Sequence, residues 1–133
     1  MENEYPTLTE RIKANITDYF MLCLMLMAVT PLVEAYPDLP YMVKISLFVF
    51  IFIGYDPLFT TLFGGTIGHF TNGIRVKRAY DTSRNIPFLN AVLRYVLKVF
   101  LGIFSLITMN SKTQYSAIHD LAADSIVVYK EKK

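Results

Sequence analysis
Six residues of types that can move protons or hold cations stand in or beside strongly apolar stretches: Arg11, Asp18, Asp56, Arg94, His119 and Asp120. An ionised aspartate near the centre of a bilayer costs roughly 2.5 to 3.5 kcal/mol on insertion scales, so it is expected to face protein, water or a cationic partner. Asp18 lies just inside the first apolar helix, entered through Thr7-Leu8-Thr9-Glu10-Arg11. Arg11 and Asp18 share nearly one helical face but lie about 10 Å apart along it, so they are not a direct pair. Arg94 or Arg11 is therefore expected to balance Asp18 across a helix interface. Asp18 is then either a titrating or cation-binding carboxylate or one half of an ion pair that fixes packing. Asp56 precedes Pro57, which frees a backbone carbonyl; the two can hold Na⁺ or relay a proton as broken transporter helices do. The alternative is a kink near the cytoplasmic end of the span, with Asp56 reaching water.

His119-Asp120 has no second histidine or cysteine at ligand spacing and no nucleophile motif, so neither a metal site nor hydrolase chemistry is implied. Asp120 is expected to cap a helix near Leu121, or to pair with Arg75, Arg78 or Arg94 at the cytoplasmic surface. His119 has a further role open to it as a pH sensor. The glycines Gly64, Gly65 and Gly68 have neither a P-loop lysine nor dinucleotide spacing and read as a turn. Met21, Met25 and Met27 read as packing or lipid contacts. No cofactor is implied.

These residues must be positioned by membrane elements. The chain has 133 residues, 53% of them hydrophobic, with mean hydropathy +0.38, too apolar for an ordinary soluble domain of this size. One domain is expected. The apolar residues gather at Ile16 to Val33, Tyr41 to Phe63 and Phe88 to Met109. The first two blocks are credible spans. Glu2, Glu4 and Glu10 stand where a cleavable signal has basic residues, so the first helix reads as an uncleaved anchor. Cys23 lies within it and reads as a packing residue. Thr7 and Glu10 have capping-box spacing, which starts the helix at Leu8; Pro31 and Pro37 bracket its exit.

Arg11 and Lys13 precede the first span, whereas Glu34 to Pro40 holds no Lys or Arg, so the N-terminus is expected in the cytoplasm. Arg75, Lys77, Arg78 and Arg84 make the next connector cytoplasmic and suit it to anionic headgroups. A net charge of +2 gives no case for nucleic acid. In the third block Asn90, Arg94 and Lys98 recur on one helical face, which suits an interfacial helix or one facing a wet interior. The apolar remainder from Val99 is too short to cross alone.

Thr66-Ile67-Gly68-His69-Phe70 before Ile74-Arg75-Val76-Lys77 is echoed by Ala117-Ile118-His119-Asp120-Leu121 before Ile126-Val127-Val128-Tyr129-Lys130. If both runs are strands and pair as a ribbon, they share one side of the membrane, and Lys130, Lys132 and Lys133 place the C-terminus in the cytoplasm as well. The expected fold is all-α, with two full transmembrane helices, a third re-entrant or interfacial helical element and a small cytoplasmic β-ribbon. Three full spans are the alternative.

Taken in order, Arg11, Asp18, the passage from Gly65-Thr66-Ile67-Gly68 to Gly73-Ile74-Arg75-Val76, the Phe88 to Arg94 segment and His119-Asp120-Leu121-Ala122 resemble the RDD family of small bacterial membrane proteins. The resemblance covers nearly the whole chain and matches Arg11, Asp18 and Asp120 to the arginine and two aspartates that name the family, and Arg94 to a further basic position. His69 stands where the family commonly has lysine, and Ala123-Asp124-Ser125 where it often has Ala-Gly-Thr. The resemblance implies a bacterial inner-membrane protein; some members are described as cation/proton antiporters. The expected function is exchange of Na⁺, K⁺ or Li⁺ for H⁺ by a homo-oligomer, with Asp18 and Asp56 as carriers. Its rival is a non-transporting accessory or scaffold subunit, with a membrane-protein partner, whose buried charges specify assembly.

Overall fold
The computed structural model describes residues 5–108 and 116–130. Glu2, Glu4, Met109, Lys132 and Lys133 lie outside these stretches.

Helix α1 spans Leu8–Glu34 and α2 spans Tyr41–Phe63; both are long and apolar enough to cross a membrane. The start of α1 is set by Glu10, whose Oε2 accepts the Thr7 backbone N–H at 2.8 Å. Pro31 lies inside α1 and Pro57 inside α2, and each helix continues through its proline. Along these helices Phe20, Met27, Met42 and Phe50 are well over half exposed, an apolar surface of the kind lipid covers. Cys23 is exposed on the same surface, so it is not a packing residue within the chain. Helix α2 ends at Gly64, whose φ of 76° is the left-handed cap glycine favours. Asn85 closes that end by donating to the carbonyls of Thr61 and Leu62 at 3.1 and 3.2 Å.

A short helix α3 (Ile67–Thr71) leads into strand β1 (Ile74–Arg78). The third apolar block is divided: α4 covers Phe88–Leu101, Gly102 takes φ 52°, and α5 covers Ile103–Ile107. A left-handed glycine ends α4 because the α-helical hydrogen-bond ladder cannot pass through it. The face carrying Asn90, Arg94 and Lys98 turns into the protein: Asn90 donates to the Ala123 carbonyl, Arg94 to Asp120 and Lys98 to Asp56. Helix α6 (Ile118–Ala122) and strand β2 (Ser125–Tyr129) complete the described chain.

Strands β1 and β2 pair antiparallel, with Val76 opposite Val127 at the centre and Ile74 opposite Tyr129 at one end. The expected ribbon is present. Its two helix–strand units are related by a local pseudo-twofold axis through the Val76–Val127 pair. Helix start and strand start are equally spaced in the two units, so Ile74 corresponds to Ser125, one residue earlier than the sequence echo suggests. Gly73 (φ 66°) and Asp124 (φ 48°) make the same left-handed turn into their strands. The Lys130 amide donates to the Gly73 carbonyl at 2.7 Å and the Ala79 amide to the Asp124 carbonyl at 2.9 Å, equivalent bonds at the two ends of the ribbon. Under the ribbon, Ala14, Ile74, Val76, Ile86, Ala91 and Val127 form the apolar core that joins it to α1 and α4.

Candidate functional site
Two polar clusters are built on the buried faces of these elements. The first surrounds Asp18, which is 4% exposed. Its Oδ1 accepts the Gly68 backbone N–H at 2.8 Å and the Tyr55 hydroxyl at 3.0 Å, and its Oδ2 accepts the Thr66 hydroxyl at 2.6 Å. Every one of these donors is neutral. Among the described residues no Arg or Lys lies within ion-pair distance of Asp18, so the expected balancing by Arg11 or Arg94 is not what the structure shows. The reason is geometric: Asp18 faces α3 and Tyr55 of α2, and both arginines are already committed elsewhere. The Gly64 to Gly68 passage is more than a turn, because Gly68 brings its amide against α1. A Cβ at Gly68 would lie 2.0 Å from the Ala14 carbonyl oxygen and 2.7 Å from Asp18 Cγ.

The second cluster is an ion-paired chain. Arg11 Nη1 donates to Asp120 Oδ2, and Arg94 Nε donates to Asp120 Oδ1 at 2.8 Å. Arg94 Nη1 lies 3.6 Å from Asp56 Oδ1, and Lys98 Nζ bonds Asp56 Oδ2 at 2.8 Å. The chain ties α1, α6, α4 and α2 together in turn. Asp120 is fully buried at the third position of α6, so it does not lie at a surface; it does cap a helix, three residues earlier than expected, because its Oδ2 accepts the backbone N–H of the N-cap residue Ala117 at 3.4 Å. Of its expected partners Arg94 is one; Arg75 bonds the Ile74 carbonyl and stacks on Phe70, and Arg78 bonds the Asn85 carbonyl. Asp56 is 4% exposed and ion-paired; it does not reach water. Its Oδ1 also accepts the Thr60 hydroxyl at 3.2 Å.

Two buried histidines flank this chain. His69 Nδ1 accepts the Thr66 backbone N–H at 3.2 Å and lies 2.5 Å from the Thr66 hydroxyl. In α6 the His119 backbone N–H donates to Ser105 Oγ at 3.2 Å, the pseudo-symmetric counterpart of the Gly68 amide donating to Asp18. Ser105 Oγ is also 2.6 Å from His119 Nδ1. Burial, reinforced by Arg94, Lys98 and Arg11, pulls the His119 pKa down to about 4 despite the nearby Asp120. Burial together with Arg94 and Lys98 likewise lowers that of His69 well below the ordinary imidazole range. The Asp120 carboxyl is held far below the usual carboxylate range: burial opposes this, and Arg94 and Arg11 overcome it.

Arg11, Asp18, Asp56, Arg94, His119 and Asp120 are therefore all buried in one region, but Asp18 is separated from the ion-paired chain by its own shell of neutral donors. Sequence reasoning missed Tyr55, Thr66, Gly68, Lys98 as the partner of Asp56, and Ser105. A polar residue facing inward from an apolar helix was a readable signal for Tyr55 and Lys98. Nothing in the spacing distinguished Thr66 and Gly68 from ordinary turn residues. No group of three or more His, Cys, Asp or Glu side chains among the described residues is arranged to hold a metal ion.

Two lipid-facing helices and a charge network buried beneath a small ribbon define an integral membrane protein. Residues 5–124 match the model of the RDD family, and the chain belongs to that family. No curated protein and no solved structure matches it significantly.

Proposed function
We propose that this protein is a monovalent cation/proton antiporter that works as an oligomer in the bacterial inner membrane, with both termini cytoplasmic and Asp18 as its carrier. One observation carries the reading: Asp18 is buried on a spanning helix and its oxygens are oriented by three neutral donors, with no Arg or Lys among the described residues at ion-pair distance. A carboxylate kept in such a place is costly unless a proton or a cation neutralises it, and exchanging one for the other is the chemistry of antiport. The oligomer follows from the small number of helices, which is too few to enclose an alternating-access path within one chain. Asp56, already ion-paired with Lys98, acts as a fixed counter-charge. The test is cation-dependent proton movement in liposomes holding an internal pH dye. Wild type is expected to respond to Na⁺, K⁺ or Li⁺ added outside and Asp18→Asn is not.

A second reading rests on the other cluster. The Arg11–Asp120–Arg94–Asp56–Lys98 chain links four helices, which is what a scaffold or accessory subunit needs in order to fix its packing. Folded, assembled wild-type protein that moves no protons under any cation supports that reading.

A further inference from the structure
Between the two pseudo-symmetric units lies a small cavity of about 10 Å³ lined by Arg11, Asn15, His69, Arg94, Leu106, His119 and Val127. Its polar lining is almost entirely made of donors. Arg11 Nε and Nη2 are buried with no hydrogen-bond partner among the described residues, and Arg94 Nη1 has only its 3.6 Å ion-pair contact with Asp56 Oδ1, although the two arginines are only 4% and 2% exposed. His69 Nδ1 faces both the Thr66 backbone N–H at 3.2 Å and, at 2.5 Å, a Thr66 hydroxyl that donates to Asp18, so the ring nitrogen turned to the cavity donates or accepts according to tautomer. Ser105 Oγ accepts the His119 amide and so has its own hydrogen to give His119 Nδ1, leaving that ring's proton on Nε2, 3.5 Å from Asp120 Oδ1. Asn15 is a lining side chain able to accept a hydrogen bond whichever nitrogen of the His69 ring carries the proton.

The charge count has the same sign. The ion-paired chain holds three cations, Arg11, Arg94 and Lys98, against two carboxylates, Asp56 and Asp120. The chain itself carries one positive charge more than its carboxylates balance, offset only in part by Asp18, which makes no ion pair but lies within electrostatic reach of Lys98 and Arg94. Orphaned buried guanidinium N–H groups are expensive, each costing on the order of an unmade charged hydrogen bond. A water molecule would satisfy two of them but bring two O–H donors into a pocket short of acceptors. A monovalent halide accepts from several N–H groups at once, brings no protons and cancels the excess charge.

We propose that this cavity is a halide site, with chloride or a similar ion held by the guanidinium groups of Arg11 and Arg94. The site is independent of the antiport reading, since it concerns an equilibrium anion and not Asp18. It makes the anion a structural partner of the ribbon and its flanking helices.

The test is equilibrium binding of radiolabelled chloride to the purified, detergent-solubilised protein, with thermal unfolding in chloride or bromide compared with gluconate. Saturable binding and a higher midpoint in halide are expected of the wild type. Asn15→Asp sets a carboxylate at the cavity edge without touching any ion pair, and is expected to weaken chloride binding by at least about tenfold while raising the midpoint in gluconate. Arg11→Lys removes the orphaned Nε and Nη2 donors and is also expected to weaken chloride. Folded wild-type protein with no saturable halide binding, or Asn15→Asp binding chloride as wild type does, overturns the proposal. Because no cation gradient is applied, halide binding without antiport, and antiport without halide binding, are separable results.

Discussion

The backbone amide of Gly68 points at the carboxylate of Asp18 across 2.8 Å, and there is no room at Gly68 for even a methyl group. The short helix α3 is thereby docked on α1 by contact between backbone and carboxylate. Asp18, Tyr55 and Thr66 are held together by that docking.

Gly68→Ala is expected to force α3 off α1. A Cβ 2.0 Å from the Ala14 carbonyl cannot be absorbed by a side-chain rotation, because the obstruction is backbone. The cost is about 3 kcal/mol, at the upper end of overpacking effects. Thermal unfolding in detergent checks it, and a midpoint equal to wild type would place α3 elsewhere.

Asp120→Asn is expected to be more damaging than Asp18→Asn. The first removes the acceptor shared by two buried arginines; the second leaves neutral donors facing a neutral amide. Breaking a buried pair by removing one partner costs about 3 to 5 kcal/mol. Unfolding midpoints of the two variants, measured side by side, decide the order.

Much of the fold was readable from residue types. The two spans, the capping box at Thr7 and Glu10, and the pairing of Ile74 to Arg78 with Ser125 to Tyr129 all follow from local pattern. The break at Gly102 did not stand out, because one glycine in an apolar run is compatible with a continuous helix. The site was half readable: the buried charges are the expected ones, but their partners depend on which helix faces meet. Asp18 looked like the partner of an arginine because one-dimensional spacing counts charges. It cannot show that Tyr55, Thr66 and Gly68 arrive first.

Stability is expected to fall as the pH drops from about 6.5 toward 4. In the unfolded chain His119 takes up a proton near its ordinary pKa of about 6.5. In the folded protein it does so only at about 4, so protons favour unfolding through that window and the effect levels off below it. The loss is about 3 kcal/mol in order of magnitude. His69 acts in the same direction. Asp120, ionised in the fold, adds its own loss only below the ordinary carboxylate range. Midpoints recorded across this pH range should slope less in His119→Asn than in wild type.

Asp56→Asn is expected to lower stability and leave cation-dependent proton movement intact in the folded fraction. Lys98 and Arg94 lose a counter-charge, but the shell around Asp18 is untouched. Flux abolished in folded, reconstituted Asp56→Asn would make Asp56 a second carrier.

If Asp18 exchanges a proton for a cation, infrared difference spectroscopy of the membrane-reconstituted protein reads that exchange at the carboxyl group itself. Replacing a cation-free buffer by one containing Na⁺, K⁺ or Li⁺ is predicted to deplete the protonated-carboxyl C=O stretch in wild type and to leave Asp18→Asn unchanged. A wild-type spectrum indifferent to all three cations, or the same depletion in Asp18→Asn, would contradict it.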